Sequence, residues 1–121
     1  MRIVLLLILL IATVTAKAEW VEGYETSFAI HYVDAATISE NGKSGRVWEL
    51  TDLKKPIGRM RSARVLREYD CAQRKFRTLS VFSFDGQMLS GQMIESINTA
   101  GEWIHIPPES AATTFIRLVC P

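Results

Sequence analysis

Two histidines, His31 and His105, and two cysteines, Cys71 and Cys120, are the nitrogen and sulfur donors that a zinc site could draw on in this 121-residue chain. Neither histidine has a ligand partner at i+4 or beside a cysteine pair, so the spacing of a zinc site is missing. Axial ligation of a haem by the histidines with Met88 or Met93 is chemically feasible, but an isolated histidine is more often a strand residue with a satisfied ring. We expect no metal and no cofactor. Gly42-Lys43-Ser44 has the ending of a phosphate-binding loop. The required earlier glycine is replaced by Thr37, and a β-turn is expected there instead of a strand-to-helix junction. No serine stands in a Gly-x-Ser-x-Gly elbow and no carboxylate pair separates from the surface acids, so no catalytic residue is assigned. The expected activity is binding, not catalysis.

Charge is the pattern that could do such work. Nine basic residues fall within 54–77, opposed there only by Glu68 and Asp70. Lys54, Lys55, Arg59, Arg61, Arg64 and Arg67 form the candidate partner-binding set. A cluster of this kind steers an acidic partner, a protein or a polyanion, and its effect is weakened by salt. Nucleic acid is not an expected partner. The competing explanation is a solvated strand face whose arginines pair with acids elsewhere in the fold.

Residues 1–18 combine Arg2, an apolar run over 3–14 and Ala16-Lys17-Ala18, the pattern of a secretory signal cleaved after Ala18. The uncharged stretch is shorter than the roughly 20 residues a spanning helix needs. One domain over 19–121 is therefore expected, periplasmic or secreted, with no membrane span. No cysteine lies near the expected cleavage point to accept a lipid. Loss of Arg2 and Lys17 leaves 12 basic and 13 acidic side chains, a net charge of −1. In an oxidising compartment Cys71 and Cys120 are expected to join, the alternative being two buried thiols. The bond would close a loop of about 50 residues, worth roughly 4 kcal/mol.

The elements that must position these groups are mostly strands. β-Branched and aromatic runs at 28–33, 46–52, 62–70, 74–84 and 88–97 are separated by turn residues, the pattern of an antiparallel sheet. Turns are expected at 34–37, at Asn41-Gly42 and at Asp85-Gly86, and a loop over 54–61, which contains Pro56 and Gly58. Trp48 and Leu50 share one face of a half-buried strand, with Glu49 and Thr51 on the other. Ala63, Val65 and Tyr69 share a face, with Arg67 its exception. In 74–84, Leu79 and Val81 oppose Phe76, Phe82 and Phe84; this two-sided apolar character points to a homodimer. Beyond Pro107-Pro108, apolar residues recur at helical spacing from Ala111 to Val119. A terminal helix would bring Cys120 to the rim of the sheet at Cys71. The fold class is α+β: about six antiparallel strands in one sheet, with a C-terminal helix on one face.

The ordered set of Trp20, Tyr32-Val33-Asp34, Thr37-Ile38, residues 47–52, Tyr69-Asp70-Cys71, Arg74, Phe76-Arg77, Trp103-Ile104, Ile106-Pro107-Pro108, Ser110 and Val119-Cys120 resembles the surface-adhesin protein E family. The likeness spans nearly all of the mature chain. It implies an exported bacterial domain with a six-stranded antiparallel sheet, a C-terminal helix and a disulfide tying the two. It also implies a dimeric adhesin for host matrix and complement-regulating proteins such as vitronectin and laminin, engaged partly through a lysine-rich central segment that residues 54–77 match in position and charge. A haem-binding role comes with the resemblance as well. The chain departs from the lipid-anchored pattern of the namesake adhesin. The alternative function is a periplasmic structural protein of the cell envelope acting through protein contacts.

Overall fold

The turn chemistry folds the chain into a meander. The computed structural model describes residue 8 and residues 17–121, so the signal expected over 1–18 lies almost wholly outside the described residues. Seven strands follow one another: β1 (Val21–Glu25), β2 (Ala29–Glu40), β3 (Ser44–Ile57), β4 (Met60–Asp70), β5 (Lys75–Phe84), β6 (Met93–Ile97) and β7 (Ile104–His105), then the helix α1 (Ala111–Val119). All pairings are antiparallel, in the order β1-β2-β3-β4-β5-β6, and β7 joins β5 beside Lys75 and Phe76. The expected α+β architecture and the Cys71–Cys120 disulfide are both present.

Asn41-Gly42 turns as expected, with Gly42 at φ +86° and the Asn41 side chain accepting from the Lys43 and Ser44 amides. Strands β1 and β7 lie outside the expected runs, and three of the expected segments differ. Residues 34–37 stay within β2 as an irregularity: the register shifts between Asp34 and Ser39, and Thr37 Oγ1 donates to the Asp34 carbonyl while accepting from the Trp48 amide. Residues 54–61 are largely strand, because β3 runs on to Ile57 and β4 starts at Met60 around Gly58 at φ +58°. Pro56 is tolerated because the β3–β4 ladder is interrupted between Asp52 and Ile57 and the pairing with β2 ends at Leu53, so position 56 needs no ladder amide. Residues 88–97 are not one strand. Asp52 Oδ1 accepts from the Met88 amide and Ser62 Oγ from the Leu89 amide, each at 2.8 Å, fixing a 3-10 turn over Gln87–Leu89 that delays β6 to Met93.

The helix covers the face of β3 that looked polar. Val33, Val47, Tyr69, Phe115, Ile116 and Val119 form the core, and by alternation Glu49 shares the helix side with Val47. Trp48 and Leu50 face outward from it. Phe76 also changes sides. A register shift in the β4–β5 ladder pairs Arg67 with Thr78 and Leu66 with Ser80, leaving Leu79 as the extra residue. One extra residue inverts the alternation, so Phe76 packs against Tyr69 on the helix side while Phe82 meets Trp48 on the outer face.

Gly45 lets α1 close on β3. A Cβ there would lie 2.3 Å from Val119 Cγ1 and 3.1 Å from Glu40 Cβ. Gly45→Ala should therefore destabilise the domain by about 1–3 kcal/mol through overpacking. A lower urea midpoint at unchanged slope would show it.

Candidate functional site

Pairing of Leu50 with Arg64 and of Val47 with Arg67 puts the two arginines on opposite faces of the sheet. Arg64 lies on the outer face, its guanidinium 4.2 Å from the Trp48 ring centre and 5.1 Å from that of Phe82. Arg67 lies on the helix side, donating to Thr78 Oγ1 and standing 3.6 Å from Glu49 Oε1. Further along the outer face Glu68 holds both Arg46 and Arg77, at 2.8 and 2.7 Å. Burial alone would raise the Glu68 pKa, but the bonds and charges of the two arginines outweigh it and hold the carboxyl below its ordinary value. Much of the basic run is thus engaged within the fold.

The other four candidates gather at one end of the sheet, around the β3–β4 hairpin. Arg61 clasps the hairpin base, donating to the Leu53 carbonyl at 2.9 Å and to the Lys54 carbonyl at 3.3 Å. Lys54 lies 2.7 Å from Glu25 and Arg59 3.8 Å from Asp85; both pairs are solvent-exposed and contribute little to stability. Lys55 is exposed and pairs with no carboxylate among the described residues. Phe28, Leu53, Lys54, Lys55, Pro56 and Ile57 line an open groove of about 440 Å³ at this end. Phe28 and Ile57 escaped the sequence reading. Phe28 reads as the first residue of a strand, but Thr26 Oγ1 accepts from its amide and from that of Ala29, making a turn that points its side chain outward.

A second concavity, of about 300 Å³, lies between the sheet and the start of α1, bordered by Tyr24, His31, Glu49, Arg67, Phe76 and Ser110 among others. The Tyr69 hydroxyl donates to buried Glu49 Oε2. Burial raises the Glu49 pKa to about 7 against the opposing pull of Arg67 and of the Tyr69 bond. Burial, and secondarily Arg67, lowers that of His31. Between pH 4.5 and about 7 the native state binds the Glu49 proton and the unfolded chain does not, so Glu49 withdraws stability as pH rises through that window. The loss amounts to about 3 kcal/mol. His31 acts in the opposite sense below pH 6.5. The difference between wild type and Glu49→Gln is therefore the readout: urea unfolding should show wild type losing stability relative to the variant across the window.

Within one chain this cleft does not fit a haem. It lies at the small end for ligand pockets, and His105, Met88 and Met93 do not border it. Among the described residues, no three of His, Cys, Asp and Glu gather as a metal set.

The sequence profile of a family described as Surface-adhesin protein E matches residues 20–121. The chain belongs to that family. Solved structures of Haemophilus influenzae protein E share its fold. Crystal form II superposes with a TM-score of 0.64 at 13% identity, covering 88% of this chain and 90% of that one. The selenomethionine form gives 0.64 at 11% identity, with 88% of each chain covered. Protein E from a non-typeable strain gives 0.55 at 13% identity, covering 84% of this chain and 83% of that one. Comparison with the curated proteins found no match.

The residues that carry the family resemblance mostly build the adhesin E scaffold. Thr37 bridges β2 and β3, and Asp52 anchors the 3-10 turn. Tyr69 fills the core, Asp70 caps the turn after Cys71, and Trp103 lies under Arg77 at 4.5 Å. Of the candidate partner-binding residues none is in that set.

Proposed function

We propose that this family member is an exported, non-enzymatic binding protein that recruits an anionic partner through Lys54, Lys55 and Arg59. The observation that carries the reading is their exposure together at one end of the sheet, while Arg64, Arg67 and Arg77 are occupied by rings and carboxylates. Adhesin E membership supports binding as the activity, and the apolar segment at 3–14 supports export to the periplasm or the medium. The partner class is an acidic protein such as a host matrix glycoprotein, or a polyanion. Arg61 is excluded from the binding set because its guanidinium is committed to the hairpin backbone.

Heparin chromatography tests this. The combined variant Lys54→Ser, Lys55→Ser, Arg59→Ser should elute at clearly lower salt than wild type. A charge-matched variant at the opposite end of the sheet and on α1, Lys43→Ser, Lys75→Ser, Arg117→Ser, should elute near wild type. Equal retention of all three proteins would remove the reading.

A further inference from the structure

We propose that the β3–β4 end binds the surface of an anionic lipid bilayer, with Phe28 and Ile57 entering the boundary between headgroups and acyl chains and Lys54, Lys55 and Arg59 meeting lipid phosphates. The inference rests on the preceding reading of this end as a site for an anionic partner, and it names that partner's chemistry.

Phe28 is 78% exposed and Ile57 65%, against at most 58% for any other large apolar side chain in residues 17–121. They border the same groove, and the bond from the Lys54 amide to the Phe28 carbonyl at 2.8 Å ties their strands together. Neither is exposed through slack. The Thr26 turn holds Phe28 outward, and the tight turn at Gly58 ends β3 at Ile57. The basic side chains sit among them: Lys54, Lys55 and Pro56 separate Leu53 from Ile57, and Arg59 lies two residues beyond. Long cationic stems can lie along an apolar boundary while their heads reach phosphates. An aromatic ring suits that interface, and clustered Lys and Arg are drawn to an anionic leaflet.

The shape favours lipid over a folded protein. A protein hot spot is a packed pocket that takes a matching anchor, whereas here two projecting side chains flank an open groove. A fluid surface moulds itself to such a projection. The neighbouring acids Glu25 and Asp85 are solvent-exposed, so their repulsion of phosphate is screened by water, and their ion pairs with Lys54 and Arg59 are weak. The three proposed contact residues, Lys54, Lys55 and Arg59, against these two acids leave an excess of one positive charge.

The test is co-sedimentation with vesicles, using protein purified after export with its own residues 1–18 encoded and its N-terminus read by mass. Wild type should bind vesicles of phosphatidylcholine mixed with phosphatidylglycerol and not pure phosphatidylcholine. Phe28→Ser with Ile57→Ser should weaken that binding about tenfold and leave heparin elution and thermal unfolding unchanged. The triple Ser variant should lose both vesicle and heparin binding. Heparin retention without vesicle binding would overturn the lipid assignment and leave the anionic-partner reading intact. So would equal vesicle binding by wild type and the Phe28/Ile57 variant. Failure to bind either probe would remove both.

Discussion

Removing the disulfide with the paired substitutions Cys71→Ser and Cys120→Ser is expected to lower the thermal midpoint by roughly 20 °C. The bond joins residues 49 apart in sequence, and closing a loop of that length restricts the unfolded chain by about 4 kcal/mol. A domain of this size shifts by about 4–8 °C per kcal/mol. The native state loses an anchor as well. α1 has nine residues, below the roughly 12–15 at which an isolated helix becomes even marginal in water. It persists because the sheet receives Phe115, Ile116 and Val119 and because its C-terminal cap, Cys120, is tied to the turn after β4. Circular dichroism melts of wild type and the double variant would measure the shift. A fall of only a few degrees would mean that packing alone holds the helix.

Phe115→Ala is expected to cost about 3–5 kcal/mol, the usual range for truncating a fully buried aromatic side chain. The ring has no solvent exposure, and a Cβ added at Gly23 would lie 2.3 Å from its Cε1. Backbone thus packs directly against it, and a strand already paired with β2 cannot collapse into the space left behind. Phe115→Leu should cost much less, because most of the volume is kept. Urea unfolding of both variants would give the two values, and a similar cost for both would show that the cavity is not the source. Combining Phe115→Ala with loss of the disulfide should be less than additive, since both act by releasing α1.

Much of the fold was legible because its signals are local. Asn41-Gly42 turns where a residue of positive φ is needed, the spacing from Ala111 to Val119 is helical, and the strands recur as β-branched and aromatic runs. The misreadings have a common origin in non-local contacts. Pro56 and Gly58 argue for a loop, but an interrupted ladder accommodates the proline within β3. Residues 88–97 read as one strand until the side chains of Asp52 and Ser62, far away in sequence, capture the amides of Met88 and Leu89. Of the candidate site, the charge run was visible and its division was not.

The sequence by itself determined a succession of antiparallel strands, the Asn41-Gly42 turn, the terminal helix and the concentration of positive charge over residues 54–77. Tertiary structure decided which faces those residues occupy. Side-chain direction in a sheet has a period of two, so the extra residue at Leu79 sends Phe76 to the helix side and Phe82 to the outer face. The same alternation separates Arg64 from Arg67 and buries Glu49 beneath the helix. Register and bulges depend on pairing between strands distant in sequence. Only the folded sheet could therefore separate the cations engaged in its own faces from the few left exposed at the β3–β4 end.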